Sequence, residues 1–182
     1  KVEELVREVT EIARKVREDL ERLVRESERR MRESSEKIKR LIEESRRRMK
    51  EVVEELKREG IPEELIKDLE RLMREVDEEH KRILKKNEDL ARELIEEHKD
   101  LIRRLEKLAE DLIREAEKNK DKSEEEIKRL REKVKRLVDK VKREIERLNR
   151  KSRELVKKSE EDIEKINRES RELLRKVLED AK

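Results

Sequence analysis

The amino-acid sequence predicts an all-α protein, namely a long, straight, antiparallel three-helix bundle whose helices run up, down and up. Three observations predict it. Apolar residues recur with an 18-residue period, helix-breaking residues occur at only two places, and the composition is typical of long helices. Of the 182 residues, 60% are charged and 31% are apolar, and none is Phe, Tyr or Trp. We predict a single domain over residues 1–182.

The first helix is predicted to end at about residue 59, because Gly60 and Pro62 follow it. Glycine just past a helix end adopts the left-handed conformation without steric cost. Pro62 suits the first turn of a new helix, where its missing N–H would have no partner. Glu63 and Glu64 suit the positive end of the new helix dipole. The second helix is therefore predicted to begin at about residue 62.

The second break is the segment Asn-Lys-Asp-Lys-Ser that begins at Asn119. Asn119 can end a helix in the left-handed conformation. Ser123 with Glu126 can form the capping box of the third helix, and Asp121 with Glu124 can do so equally well. Matched helix lengths and short connections predict antiparallel neighbours. The predicted helices cover about residues 1–59, 62–118 and 123–182.

Each predicted helix carries an apolar stripe that repeats every 18 residues. Eighteen residues make five turns at about 3.6 residues per turn, whereas a heptad averages about 3.5 and imposes a left-handed supercoil. The stripe therefore predicts helices with little or no supercoil. Examples are Val2, Leu20, Ile38 and Leu56 in the first helix, Leu72, Leu90 and Leu108 in the second, and Leu137, Leu155 and Leu173 in the third.

Eleven polar residues lie on or at the edge of the inward faces. In an antiparallel bundle, residue i of the first helix would lie near residue 121−i of the second and i+121 of the third. This register sorts the eleven residues into three groups. They are the Ser27 group (Ser27, His98, Asn149 and Ser152), the Ser45 group (Ser45, His80, Asn167 and Ser170) and the Ser34 group (Ser34, Asn87 and Ser159).

A buried polar atom without a partner costs about 1–3 kcal/mol, so we predict that these groups satisfy one another. A slipped register or a wrong oligomer would leave these groups unpaired and would therefore be disfavoured. The polar groups would in this way make the fold more specific. The alternative is that some of them point outward or bond to their own backbone.

The regular repeat, the lack of aromatic residues and the inward Ser, Asn and His residues resemble de novo designed, parametrically generated helical bundles with buried hydrogen-bond networks. The resemblance covers the whole chain and implies a monomeric structural scaffold with no natural activity.

A natural spectrin-like or apolipoprotein-like protein is a weaker alternative, because the repeat is too regular and aromatic residues are missing. Another alternative is an interaction module, an incomplete bundle that binds a further helix or self-associates. Residues that widen the apolar arc favour it: Val53, Ile95, Ile113 and Leu178, bordered by Asn149 and Asn167.

Charge and composition argue against several classes of partner. The chain has 56 basic and 53 acidic residues, intermixed along its length, and has no aromatic platform for bases, so we expect no nucleic-acid partner. The absence of long apolar runs predicts no membrane span or signal peptide. Net charges of +2 for residues 1–59, −5 for 62–118 and +6 for 119–182 place an acidic middle helix between two basic ones.

The two histidines, His80 and His98, are 18 residues apart on one helix and therefore about 27 Å from each other. They are too far apart to share a metal ion, so we predict no metal site. The residues three positions before them, Asp77 and Ile95, do not fit the di-iron motif. No acidic residue lies on the inward face to complete a catalytic triad. We therefore expect no enzyme activity, cofactor or small-molecule substrate. If both histidines are buried and neutral, protonation below pH ~6.5 is expected to disfavour the fold.

Overall fold

The computed structural model describes residues 2–118 and 121–181 and has three α-helices: α1 (Val2–Arg58), α2 (Glu63–Glu117) and α3 (Glu124–Ala181). All three pack against one another, which confirms the predicted all-α three-helix bundle. Each helix bound agrees with the prediction to within one residue. Low supercoil stays a prediction.

The chain divides into two compact units, each built from part of every helix. Unit 1 takes in Lys1–Arg29 and Arg92–Arg153, and unit 2 takes in Arg30–Ala91 and Glu154–Lys182. Each predicted polar group falls inside one unit: the Ser27 group in unit 1, and the Ser34 and Ser45 groups in unit 2. Whether residues 1–182 form a single domain, as the sequence predicts, is not tested by this division and stays a prediction.

Helix α1 ends in a Schellman motif. The N–H of Ile61 donates to the carbonyl of Leu56 at 3.4 Å, and the N–H of Gly60 donates to that of Lys57 at 3.3 Å. Gly60 has a φ of 74°, and a residue with a Cβ adopts this backbone conformation only at a steric cost. Ile61 packs against the cluster that contains Leu56, and this apolar contact commonly accompanies the motif. The predicted role of Gly60 is confirmed.

Two further helix-end predictions are refined. The carbonyl of Pro62 accepts bonds from Leu65 and Ile66, so Pro62 lies at the N-cap of α2, one position before the predicted first turn. For α3, the Ser123 hydroxyl accepts the N–H of Glu126 at 3.3 Å, so Ser123 rather than Asp121 is the N-cap. Asn119, predicted to end α2, lies outside the described residues.

The core of unit 1 is aliphatic and draws on all three helices. Leu5 and Ala116 are each only 1% exposed. Burial of a leucine-sized side chain stabilises a fold by about 1.5–3 kcal/mol, so this cluster ties the three helices together. Its buried members are Val2, Leu5 and Val9 of α1, Leu112 and Ala116 of α2, and Ile127, Leu130 and Val134 of α3.

Two aliphatic clusters lie among the described residues of unit 2. The smaller consists of Ile38, Ile42 and Ile163, of which Ile38 and Ile163 are fully buried. The larger consists of Met49, Val53, Leu56, Ile66, Leu69, Val76 and Leu174.

Not every leucine of the apolar stripe is covered. Leu90, Leu108 and Leu173 are each more than a third exposed. They belong to the 18-residue repeats of α2 and α3, so these repeats lie at the edge of the inward arc. The predicted stripe is therefore wider than the buried face.

Ion pairs between helices show the register. In unit 2, Lys39, Arg46 and Lys57 of α1 pair with Glu88, Asp77 and Glu70 of α2, so rising numbers on one helix meet falling numbers on the other. The paired numbers sum to between 123 and 127, close to the predicted 121. In unit 1, Glu8 of α1 pairs with Arg131 of α3, an offset of 123. In unit 2, α2 therefore runs opposite to α1.

Acidic residues of α2 form ion pairs with basic residues of the other two helices. In unit 1, Arg17 pairs with Glu106, and Lys133 and Lys151 of α3 pair with Glu115 and Glu97. In each of these three pairs, as in the α1–α2 pairs of unit 2, the acid lies on α2. Exposed pairs contribute only about 0.2–1 kcal/mol each, so they favour the pairing of helices more than they stabilise the fold.

Candidate functional site

The candidate site is the set of eleven polar residues predicted to lie inside the bundle. Nine of them are buried, and Ser45 and Asn149 are half-buried. The side chains of Ser27 and Ser152 are fully covered, and His80 and His98 are 1% and 2% exposed. Nine of the eleven predicted polar positions therefore face the core in the structure. The buried ones are Ser27, Ser34, His80, Asn87, His98, Ser152, Ser159, Asn167 and Ser170.

The Ser45 group contains a hydrogen bond that joins two helices through the core. Nε2 of His80 on α2 lies 2.8 Å from Oδ1 of Asn167 on α3. Because an amide oxygen only accepts, the imidazole donates from Nε2 and carries its proton there. Nδ2 of Asn167 then donates to the carbonyl of Leu41 on α1 at 3.4 Å. One asparagine thus bonds to both other helices.

The Ser34 group also contains a bond between buried side chains. The Ser159 hydroxyl on α3 donates to Oδ1 of Asn87 on α2 at 2.7 Å. Asn87 and Ser159 are 4% and 6% exposed, so water offers little competition. Like His80 and Asn167, this pair joins α2 to α3.

Two other buried polar groups bond to their own helix. Nδ1 of His98 lies 2.7 Å from the carbonyl of Leu94, one turn earlier, so the ring donates from Nδ1. The Ser170 hydroxyl donates to the carbonyl of Ile166 at 2.7 Å. Each of these two bonds uses a side-chain donor on a carbonyl of its own helix and does not join helices. The two histidines, although 18 residues apart in the repeat, therefore carry their protons on opposite ring nitrogens.

The prediction that all eleven residues satisfy one another is not met in full. Among the described residues, the hydroxyls of Ser27 and Ser34 and Nδ1 of His80 are buried without a hydrogen-bond partner. Both hydroxyls lie on α1, whose inward polar residues are all serines. Helix axes are about 8–10 Å apart, and a serine hydroxyl extends only a short way into that gap. Ser152 and Asn149 do have interaction partners.

Ser34 and Ser159 allow a matched test of satisfied and unsatisfied hydroxyls. We expect Ser159→Ala to lower the free energy of unfolding by about 1–3 kcal/mol, because Asn87 loses its partner. Ser34→Ala is expected to leave it unchanged or raise it, because an unpaired polar atom is removed. Urea unfolding followed by circular dichroism measures both. Equal losses for the two variants would contradict the assignment.

The environment of His80 also changes its acidity. Burial lowers the pKa of His80 below its ordinary value of 6.5, because the charged ring would lose its hydration. The hydrogen bond to Asn167 and the nearby carboxylates of Asp77 and Glu79 partly oppose this lowering of the pKa, while Arg46 adds to it. Burial therefore favours the neutral form of His80.

The sequence did not indicate the backbone acceptor in this site. The Leu41 carbonyl already belongs to the α1 helix ladder, and nothing in its side chain marks it as a partner of Asn167. A second backbone acceptor that the sequence did not indicate is the carbonyl of Asn167, which accepts a bond from Nε of Arg171 at 3.3 Å. Only the lateral position of Asn167, at the edge of the inward arc, could have indicated contact with α1.

The contacts described in this site are hydrogen bonds. Within residues 2–118 and 121–181, no group of three or more His, Asp or Glu side chains is placed to hold a metal ion. None of the helices in that part of the chain is long and apolar enough to cross a membrane. Searches of protein-family models, curated proteins and solved structures find no match to this chain.

Proposed function

We propose that this chain is a designed structural scaffold with no natural biochemical activity, in which buried Ser, Asn and His hydrogen bonds specify how its helices pair. The bond between His80 and Asn167 is the main support for this proposal. It joins α2 to α3 and, through Asn167, reaches α1. The regular 18-residue repeat and the absence of aromatic residues support a designed origin.

The physical benefit proposed for these bonds is selection of one register. A slip by one residue rotates a helical side chain by about 100° and moves it by about 1.5 Å along the axis. His80 and Asn167, and Asn87 and Ser159, would then lose their bonds together. Each buried group left without a partner costs about 1–3 kcal/mol, so competing registers are disfavoured.

A double-mutant cycle on His80 and Asn167 tests this proposal. Asn167→Leu alone is expected to lower the free energy of unfolding, because it leaves the buried imidazole without an acceptor. Adding His80→Leu is expected to recover much of that loss, since both polar groups are then replaced by apolar ones. We expect a coupling energy of about 0.5–3 kcal/mol from urea unfolding of the four proteins.

Ser170 provides the control for this cycle. It belongs to the same group but bonds to the carbonyl of Ile166 on its own helix. A cycle of His80→Leu with Ser170→Ala is therefore expected to be additive to within about 0.5 kcal/mol. Additivity in the cycle of His80 and Asn167 as well would contradict the proposal that this bond specifies pairing.

A second candidate function is an interaction module that completes its bundle with another chain. It is favoured by an open groove between α1 and α3 in each unit. The groove volumes are about 560 Å³ in unit 1 and about 590 Å³ in unit 2. Pockets of roughly 300–1,000 Å³ are large enough to accept side chains or ligands.

A further inference from the structure

We propose that the groove between α1 and α3 in unit 2 is one half of an interface between two copies of this chain packed in parallel. The proposal rests on the second candidate function, and it names the partner. The groove has an apolar floor, two rims of opposite charge and inward polar groups at its edge. Its apolar residues are Leu41, Met49, Val52, Leu174 and Leu178.

The two rims differ in charge. On α1, Glu44, Glu51 and Glu55 with Arg48 give a net charge of −2. On α3, the rim residues Arg171 and Arg175 give +2. All six side chains are exposed, so their charges are accessible to another molecule.

The groove of unit 1 has the same arrangement. On its α1 rim, Glu8 and Asp19 with Lys15 give −1. On its α3 rim, Arg131, Lys135 and Lys142 with Asp139 give +2. An α1 rim that is acidic and an α3 rim that is basic therefore occur in both units, each taken by itself.

A second copy complements these rims in one orientation. In unit 2, α1 and α3 run parallel, because Lys37 meets Glu160 and Leu41 meets Asn167 at offsets of 123 and 126. A twofold axis along the helices places α1 of one copy opposite α3 of the other at the same height. Each acidic rim then meets a basic rim, twice per dimer.

The other face-to-face twofold arrangement is disfavoured. An axis across the helices would place α1 against α1 and α3 against α3, so like charges would meet on both sides. Such contacts select against an orientation, whereas opposite charges favour encounter. The charge pattern therefore selects the parallel dimer.

The polar groups at the edge of the groove can contribute hydrogen bonds to this dimer. Ser45 is half-buried there. The bond from Nδ2 of Asn167 to the carbonyl of Leu41 is 3.4 Å long, which is longer than the usual range of about 2.7–3.2 Å and makes the bond weak. Both side chains therefore keep hydrogen-bonding capacity for groups that a second copy would bring to the groove.

Charge exchange across the rims tests the proposal. Sedimentation equilibrium of the wild type is expected to show a concentration-dependent dimer. Glu51→Lys with Glu55→Lys makes both rims basic, and Arg171→Glu with Arg175→Glu makes both rims acidic. Each double variant alone is expected to raise the dimer dissociation constant about tenfold to a hundredfold, because four contacts per dimer become repulsive. An equimolar mixture of the two is expected to form a heterodimer with an affinity near that of the wild type.

Glu43→Lys with Glu54→Lys is the matched control, because both residues are exposed on α1 and do not line the groove. This control is expected to dimerise as the wild type does. A wild type that stays monomeric would overturn the second-copy proposal and leave the groove to a separate helix. Failure of the mixed variants to associate would overturn the parallel arrangement. The cycle of His80 and Asn167 concerns unfolding within one chain, so the two proposals can fail separately.

Discussion

Replacement of Ile163 by alanine is expected to lower the free energy of unfolding by about 2–5 kcal/mol. Ile163 is fully buried and packs with Ile38 and Ile42 of α1. The loss combines the transfer free energy of the missing methyl and methylene groups with the cavity that they leave. Chemical denaturation followed by circular dichroism measures it.

Leu173 on the same helix serves as the control, because it is 45% exposed. Leu173→Ala is expected to change the free energy of unfolding by less than about 1 kcal/mol, since little apolar area is withdrawn from the core. Comparable losses for the two variants would contradict the placement of the core in unit 2.

Acidification is the second change expected to weaken the fold. The pKa of His80 is lower in the folded chain than in the unfolded one, chiefly because of burial. The unfolded state therefore binds more protons than the folded state below pH ~6.5. As a result, the free energy of unfolding decreases as the pH is lowered. The contribution of neutral His80 is complete above the unfolded pKa and is lost as pH falls through the folded pKa. One such group gives a slope of at most about 1.4 kcal/mol per pH unit.

Urea midpoints of the wild type and of His80→Leu between pH 7.5 and 5 measure this effect. The wild type is expected to lose more stability over this range than His80→Leu, which has no titratable group at that position. The groups that face His80 and titrate or carry charge are Asp77, Glu79 and Arg46, and they are common to both proteins. Identical pH dependence of the two proteins would refute the role of His80.

The sequence predicted the three helices because local signals and periodicity agreed. Gly60 and Ser123 act at helix ends through their own backbone and side chain, so their roles need no tertiary context. The stripe that contains Leu20 and Ile38 fixed the inward face, and the antiparallel register came within a few residues of the ion pairs that form. Short-range geometry was sufficient for these features.

The wiring of the polar core could not be read from the sequence. Whether an inward serine bonds across the bundle or to its own backbone depends on distances of a few tenths of an ångström. Ser159 meets Asn87, whereas Ser170 turns to Ile166 and the hydroxyl of Ser34 meets no partner. His98 and His80 occupy equivalent positions in the repeat and still bond differently. These outcomes depend on rotamers and helix separation, which periodicity does not specify.

The ring protons of the two histidines test the central claim most directly. Two-bond nitrogen–proton NMR correlations of uniformly ¹⁵N-labelled protein at pH 7.5 distinguish the neutral tautomers. We predict that His80 carries its proton on Nε2, held by Asn167, and that His98 carries its proton on Nδ1, held by the Leu94 carbonyl. Averaged signals of the kind that a solvent-exposed imidazole gives, or the same tautomer on both rings, would contradict a core whose polar side chains are fixed by specific bonds.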